Sequence, residues 1–264
     1  MRVRGGAASF RGTGQPTVAP GAVKNRVMAD YITEATRVVE SLAPGGFPCP
    51  IRTPLVDDEC RWFLRAIDRD VIRFRQCDPT CFRFKKWNES GPDHFDTPSG
   101  KPRHLFSKPI GPEAWLNREY VAHIAAYAKA VIDHGYAIER STFSRYRKFT
   151  RDLISKRAGQ GYETDAEFYD ADARIHLQIE AKASAQQTER LAREMARAGS
   201  LAKLPIGTVK EIEYVLDLSP RFLWVVGPGS VDPATHVFKV TVDGLNAQFD
   251  PVGDLPEPME VQEL

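Results

Sequence analysis

The sequence predicts an α/β fold in the order helix–strand–strand–strand–helix–strand, around a mixed sheet. Three observations predict it. Glu113 to Asp133 carries apolar residues at helical spacing, Arg174 to Lys182 alternates with a period of two, and Ala185 to Arg197 consists of strong helix formers. The chain has 264 residues, enough for one large domain or one and a half, and a formal net charge of +1. A chain this close to neutral excludes a global electrostatic footprint, so any surface for a polyanion must be local.

Residues 1–26 are rich in Gly, Arg and Ala, lack a core pattern and are expected to be disordered; Met28, just beyond them, is an alternative start. Residues 27–110 read as an N-terminal helical and loop region. Within it, Asp57 to Arg75 is an expected helix anchored by Trp62, Phe63, Ile67 and Ile72. Arg83 to Lys108, rich in Pro, Gly, His and basic residues, reads as a long loop, and its His94 and His104 are given no role. All four cysteines lie in this region: Cys49, Cys60, Cys77 and Cys81. No signal peptide or membrane span is visible, so the expected setting is the cytoplasm, with no membrane partner and no disulfides. Four thiols can bind one Zn²⁺ tetrahedrally. Cys77 and Cys81 form an acceptable half-site, Cys49 and Cys60 are spaced loosely, and buried unpaired thiols are the alternative.

The core is expected over residues 111–249. Pro112 marks the start of its first helix, on which Leu116, Tyr120, Val121, Ile124, Ala128, Val131 and Ile132 form the apolar stripe. Trp115, Glu119, Ala122, Ala126 and Ala130 form a second stripe, which puts a carboxylate on a small-residue face. Gly135 closes the helix, and His134 to Arg140 starts the first strand. Ser144 to Gln160 sets Arg145, Arg147, Lys148, Arg151, Lys156 and Arg157 against the single acid Asp152, with Tyr146, Phe149, Leu153 and Ile154 as an apolar stripe. It is expected to form a short basic helix, either binding a nucleic-acid backbone or simply solvated.

Two strands follow. In Tyr162 to Tyr169, Tyr162, Ala166 and Phe168 share one face, while Glu163, Asp165, Glu167 and Tyr169 take the other. In Arg174 to Lys182, Ile175, Leu177, Ile179 and Ala181 face the core, and His176, Gln178, Glu180 and Lys182 face outward. Asp170 to Ala173 is a short polar loop between them. An antiparallel hairpin with Asp170 opposite Ile175 sets Asp165 opposite Glu180 and Glu163 opposite Lys182, with opposed Cβ atoms about 4.5–5.5 Å apart. Two facing carboxylates repel, and a divalent cation offsets that repulsion; Mg²⁺ takes one or two carboxylates plus waters and phosphate oxygens. Lys182 points the same way, placed to orient or deprotonate a water or to steady charge on a phosphate. The alternative is a solvated outer face with a weak Glu163–Lys182 ion pair.

Ser184 is a plausible N-cap for the helix over Ala185 to Arg197. Arg221 to Val226 is a short buried strand ended by Gly227-Pro228-Gly229, and Thr235 to Val242 is a further strand. Residues 250–264 form an acidic, Pro-rich tail, expected to be loose.

Asp165 followed by Glu180-Ala181-Lys182 on an apolar strand resembles the PD-(D/E)XK nuclease superfamily, over roughly residues 112 to 242. No proline precedes Asp165, as is also true of many members. The resemblance implies a restriction-endonuclease-like αβββαβ core, with Asp165 as the motif aspartate and Glu180 and Lys182 as the E-x-K pair. It further implies Mg²⁺ or Mn²⁺ held by Asp165, Glu180 and the carbonyl of Ala181, with Glu119 of the first helix joining them. Gln186 or Gln187 would touch substrate or water. The implied activity is phosphodiester hydrolysis, of DNA with RNA as the alternative, and a homodimer fits the way many such nucleases cut both strands. A rival of another class is a nucleic-acid or protein binding module with little catalysis on the same fold. A third reading is a non-nuclease enzyme using the same hairpin.

Overall fold

The computed structural model of the chain describes residues 30–43, 51, 54–75, 78–85, 95–96, 103–106 and 115–258. The expectations for residues 1–26, Met28, Cys49, Cys77, His94, Pro112, Glu113 and the last six residues lie outside them. Helices α1 (Tyr31–Leu42) and α2 (Asp57–Asp68) come first. The helix expected over Asp57 to Arg75 stops short, because Asp70 turns the chain with φ 59° and strand β1 (Ile72–Arg75) begins. Strand β2 (Asp78–Lys85) runs into the expected long loop, which also contains β3 (Phe95–Asp96) and β4 (Arg103–His104). All of them pair antiparallel in a small sheet around β2. Cys60 and Cys81 are buried free thiols. Burial pushes the Cys60 thiol up to about 12.

Helix α3 (Arg118–Ile132) starts later than predicted. Trp115 to Asn117 are not helical, and Leu116 instead makes a β-bridge to Phe106. A turn of 3₁₀ helix over Ile138–Arg140 then leads into strand β5 (Ser141–Lys148), so the first strand begins after the residues expected to start it. The basic helix predicted over Ser144 to Gln160 does not form. Its first part is β5, paired with β6 (Gly161–Tyr169), and residues 149–160 are irregular. Tertiary anchors override helix propensity there. The backbone N–H of Thr150 donates to Asp217 (3.0 Å), that of Ser155 to Glu213 (2.6 Å), and Phe149 is buried.

β7 (Ile175–Ala181) pairs antiparallel with β6. Helix α4 (Ala185–Ala198) follows, with Ser184 as its N-cap as predicted. Helices α5 (Ile206–Ile212) and α6 (Tyr214–Leu218) complete the crossover to β8 (Phe222–Val226), which lies parallel to β7. β9 (Val237–Asp243) and β10 (Asn246–Val252) finish a six-stranded mixed sheet ordered β10-β9-β8-β7-β6-β5. The tail expected to be loose from Asp250 instead supplies the end of β10. It then packs back, with Leu255 buried and the Tyr136 hydroxyl donating to the Pro256 carbonyl.

Both faces of the sheet are covered. Ala166, Phe168, Leu177, Ile179 and Trp224 pack with α1, α2 and α3; Leu223, Val225 and Phe249 pack with α4, α5 and α6. Every residue of β7 is therefore buried, not only alternate ones. Phe82 and Phe84 of β2 join the first core through edge and stacked contacts to Phe143. Gly227 lets the chain leave β8 closely, since a Cβ there would fall 2.1 Å from Thr188 Oγ1 and 3.2 Å from the Lys182 carbonyl.

Arg118, at the start of α3, donates to Glu59 of α2, and their side chains are 5% and 0% exposed. Losing one partner strands a buried charge. Arg118→Met is expected to cost about 3–5 kcal/mol in denaturant unfolding. Adding Glu59→Gln should recover much of that loss, and a single variant as stable as the wild type would refute the assignment.

Candidate functional site

β6 and β7 form a fork. Their ladder runs from Tyr169↔Ile175 through Phe168↔Leu177 and Glu167↔Gln178 to Ala166↔Ile179, then stops. Beyond it, β7 keeps its partner β8, with Ala181 paired to Val226, while β6 keeps its partner β5. The last β6–β7 pair has the register that the sequence predicts for Asp165 and Glu180. The loop end differs. A bulge after Phe168 sets Tyr169, not Asp170, opposite Ile175, and the Asp170 carboxylate closes the turn by accepting from the backbone of Asp172 and Arg174.

Asp165 sits in the fork. With no strand opposite, the Ala181 N–H donates to Asp165 Oδ2 at 2.6 Å. The side chain thus stands in for the missing backbone acceptor. The predicted alternation of β6 also breaks here. Tyr162 stacks on Phe149 and Tyr214 in the second core, whereas Ala166 and Phe168 lie in the first. The cause lies in β5. Ser144, between the pairs Phe143↔Ala166 and Arg145↔Thr164, has φ 54°, and a residue at positive φ rotates the strand beyond it.

Glu180 is buried beside the fork. One of its oxygens accepts from Lys182 Nζ at 2.7 Å and the other from the Tyr214 hydroxyl at 2.6 Å. Glu119, on the first turn of α3, completes the group electrostatically. Asp165 is pushed well above the ordinary carboxylate range by burial and by the negative charges of Glu180 and Glu119. The Ala181 N–H and Lys182 only partly offset this. Burial and Glu180 raise Glu119 in the same way. Burial alone would lower Lys182, but its contact with Glu180 outweighs that and keeps it a firmly charged ammonium. The result is three carboxylates against one ammonium at the C-terminal end of β7, where open α/β sheets place their ligand sites.

The other predicted site residues scatter. Gln186 and Gln187 are exposed on the first turn of α4. Arg147 forks onto the buried Glu167 and, with Arg145, donates to the Tyr169 hydroxyl. Arg151 donates to the Leu216 carbonyl, and Lys148 is exposed. Two site neighbours escaped the sequence reading. His123 is fully buried, stacks on Phe143 at 3.7 Å, and places Nδ1 3.8 Å from Asp165 Oδ1. Its spacing of four from Glu119 puts both on one helix face, a signal that was available. Tyr214 had none, because the crossover that delivers it carries no marker of the site.

Among the described residues, no group of three or more His, Cys, Asp or Glu closes on a common point for a metal, and no helix is long and apolar enough to cross a membrane. No family model, curated protein or solved structure matches the chain.

Asp165 binds its proton more readily in the folded than in the unfolded chain. Its contribution to stability is therefore full below its ordinary value of 3.8 and is lost as pH rises through the raised folded value. In EDTA, thermal stability should fall over that window. Asp165→Asn, which keeps an acceptor for Ala181 N–H, should flatten the fall; a profile unchanged by the substitution would contradict the charge crowding.

Proposed function

We propose that this chain is a metal-dependent phosphodiester hydrolase of the PD-(D/E)XK nuclease type, acting on nucleic acid and on DNA before RNA. The observation that carries the reading is the convergence of Asp165, Glu180, Glu119 and Lys182 where β6 leaves β7. The order α3–β5–β6–β7–α4–β8 supports a restriction-endonuclease-like core.

A hard divalent cation fits this donor set. Mg²⁺ needs only one or two carboxylates and keeps its waters, so no closed cage of side chains is required. Burial raises Asp165 most, and the Glu180 and Glu119 charges that raise it further are the excess such an ion would relieve. Asp165 and Glu180 would hold it, with the Ala181 carbonyl as a further ligand, while Glu119, expected from the sequence as another ligand, would add negative charge nearby. When bound, Mg²⁺ or Mn²⁺ polarises the scissile phosphate and acidifies a coordinated water. Lys182 stays protonated, so its role is to donate to the attacking water or to a phosphate oxygen rather than to act as base. Tyr214 fixes the rotamer of Glu180 through its hydroxyl.

A second reading has one observation in its favour: both Glu180 oxygens are already taken by Lys182 and Tyr214. On that reading the chain binds nucleic acid or protein and cleaves little. One assay separates the two: linear, circular and single-stranded DNA, and RNA, each incubated with Mg²⁺, Mn²⁺ or EDTA. The nuclease reading expects cleavage that EDTA abolishes and that Asp165→Ala or Lys182→Ala lowers by about a hundredfold or more. Binding without cleavage under either metal would favour the second reading.

A further inference from the structure

Past the fork, β5 and β6 continue as a two-stranded arm, residues 145–148 against 161–164, joined by residues 149–160. The arm leaves the sheet beside Asp165. Its two faces differ. Arg145 and Arg147 both donate to the Tyr169 hydroxyl and so share one face, which leaves Tyr146 and Lys148 on the other.

Tyr146 is 55% exposed, a large fraction for an aromatic ring in the middle of a strand. Gly161 explains how it lies. A Cβ at that position would fall 1.8 Å from the Tyr146 hydroxyl oxygen, so the ring rests against bare backbone. The hydroxyl end of the ring lies against β6 and more than half of the side chain is open to solvent, which leaves aromatic surface for a partner. Lys148, paired with Gly161 across the ladder, is exposed on the same face. The connection adds exposed Arg151 and Arg157, and Lys148 and Arg157 make no ion pair among the described residues. From Arg145 to Arg157 the chain sets six cations against Asp152 alone.

We infer that this arm is a binding element for single-stranded nucleic acid, with Tyr146 stacking on an unpaired base and Lys148 and Arg157 holding the flanking phosphates. The inference rests on the proposed phosphodiester chemistry at the fork and adds a substrate class to it: a strand that is unpaired next to the cut. An aromatic platform interleaved with cations suits any base, because every base has a π-face and every linkage carries a charge. A continuous duplex keeps its bases stacked inside and offers Tyr146 nothing to stack on.

The test is fluorescence anisotropy in EDTA, with the full chain and fluorescein-labelled oligodeoxythymidine, oligouridine and duplex DNA of equal length. Both single strands, or whichever of them is the substrate, should bind more tightly than duplex. Tyr146→Ala should weaken single-strand binding roughly tenfold to a hundredfold without changing its salt dependence. Tyr146→Phe should retain it, and Gly161→Ala, which displaces the ring, should weaken it. Lys148→Gln and Arg157→Gln should each lower the log–log salt slope by about 0.7. Tyr146→Trp should show indole fluorescence quenched by oligodeoxythymidine or oligouridine. Single-strand affinity unchanged in Tyr146→Ala, or a wild-type preference for duplex, would overturn the inference. If the wild type still cleaves with Mg²⁺ in that case, only the arm assignment fails; if it neither binds nor cleaves any nucleic acid, the nuclease reading fails with it.

Discussion

The site depends on one hydrogen bond between a side chain and the backbone. Where β6 parts from β7, the Ala181 N–H loses its strand partner, and the Asp165 carboxylate takes it at 2.6 Å. An unmet buried amide costs about 1–3 kcal/mol, so this contact fixes Asp165 in the gap between the strands. It also explains why a carboxyl group occupies the position. The fork supplies the acceptor's task, and the strand end supplies an opening, with the Asp165 side chain 18% exposed. The remaining site groups are arranged around that point. β7 carries Glu180 and Lys182 past the fork, α3 brings Glu119 and His123 from one side of the sheet, and α6 brings Tyr214 from the other.

Such a cluster opposes folding, and the surrounding structure supplies the rigidity that keeps it in place. The parallel pairing of β7 with β8 continues to Ala181↔Val226, and the Lys182 N–H donates to the Val226 carbonyl, so β7 is held in the sheet up to its last residues. Gly227 allows α4 to start immediately above it. On the far side, α2 is locked to the loop after β8 by Asp58, which accepts from the backbone of Gly229, Val231 and Asp232. The N-terminal region and the sheet thereby share one apolar core. Packing elsewhere thus offsets the cost of a crowded polar cluster, as the proposed function requires.

The parts legible in the sequence were those with a strong local period. The α4 sequence carries its own N-cap and helix formers, and the run from Ile175 to Ala181 fixes a strand and its register with β6. The placing of Asp165 beside Glu180 followed from that register, although the ladder itself ends one pair short of them at Ala166↔Ile179. The illegible parts were set by distant contacts. Nothing local to Ser144–Gln160 announces that β6 will capture its first half as a strand, or that Asp217 and Glu213 will tether the rest. The apolar stripe that reads as a helix is spent instead on Phe149 and Leu153 packing under a loop. The strand of β7 reads as half-buried because alternation reports one buried face and says nothing of helices covering the other. Arg147 read as a phosphate contact for the same reason, since its partner Glu167 is buried only once the sheet is built.

Direct calorimetric titration of Mn²⁺ into metal-stripped protein tests the central claim without requiring turnover. A saturable site is expected that is lost in Asp165→Asn and weakened in Glu180→Gln, while Arg157→Gln on the arm leaves it intact. Saturable binding of equal strength in wild type and Asp165→Asn, or none in either, would contradict it.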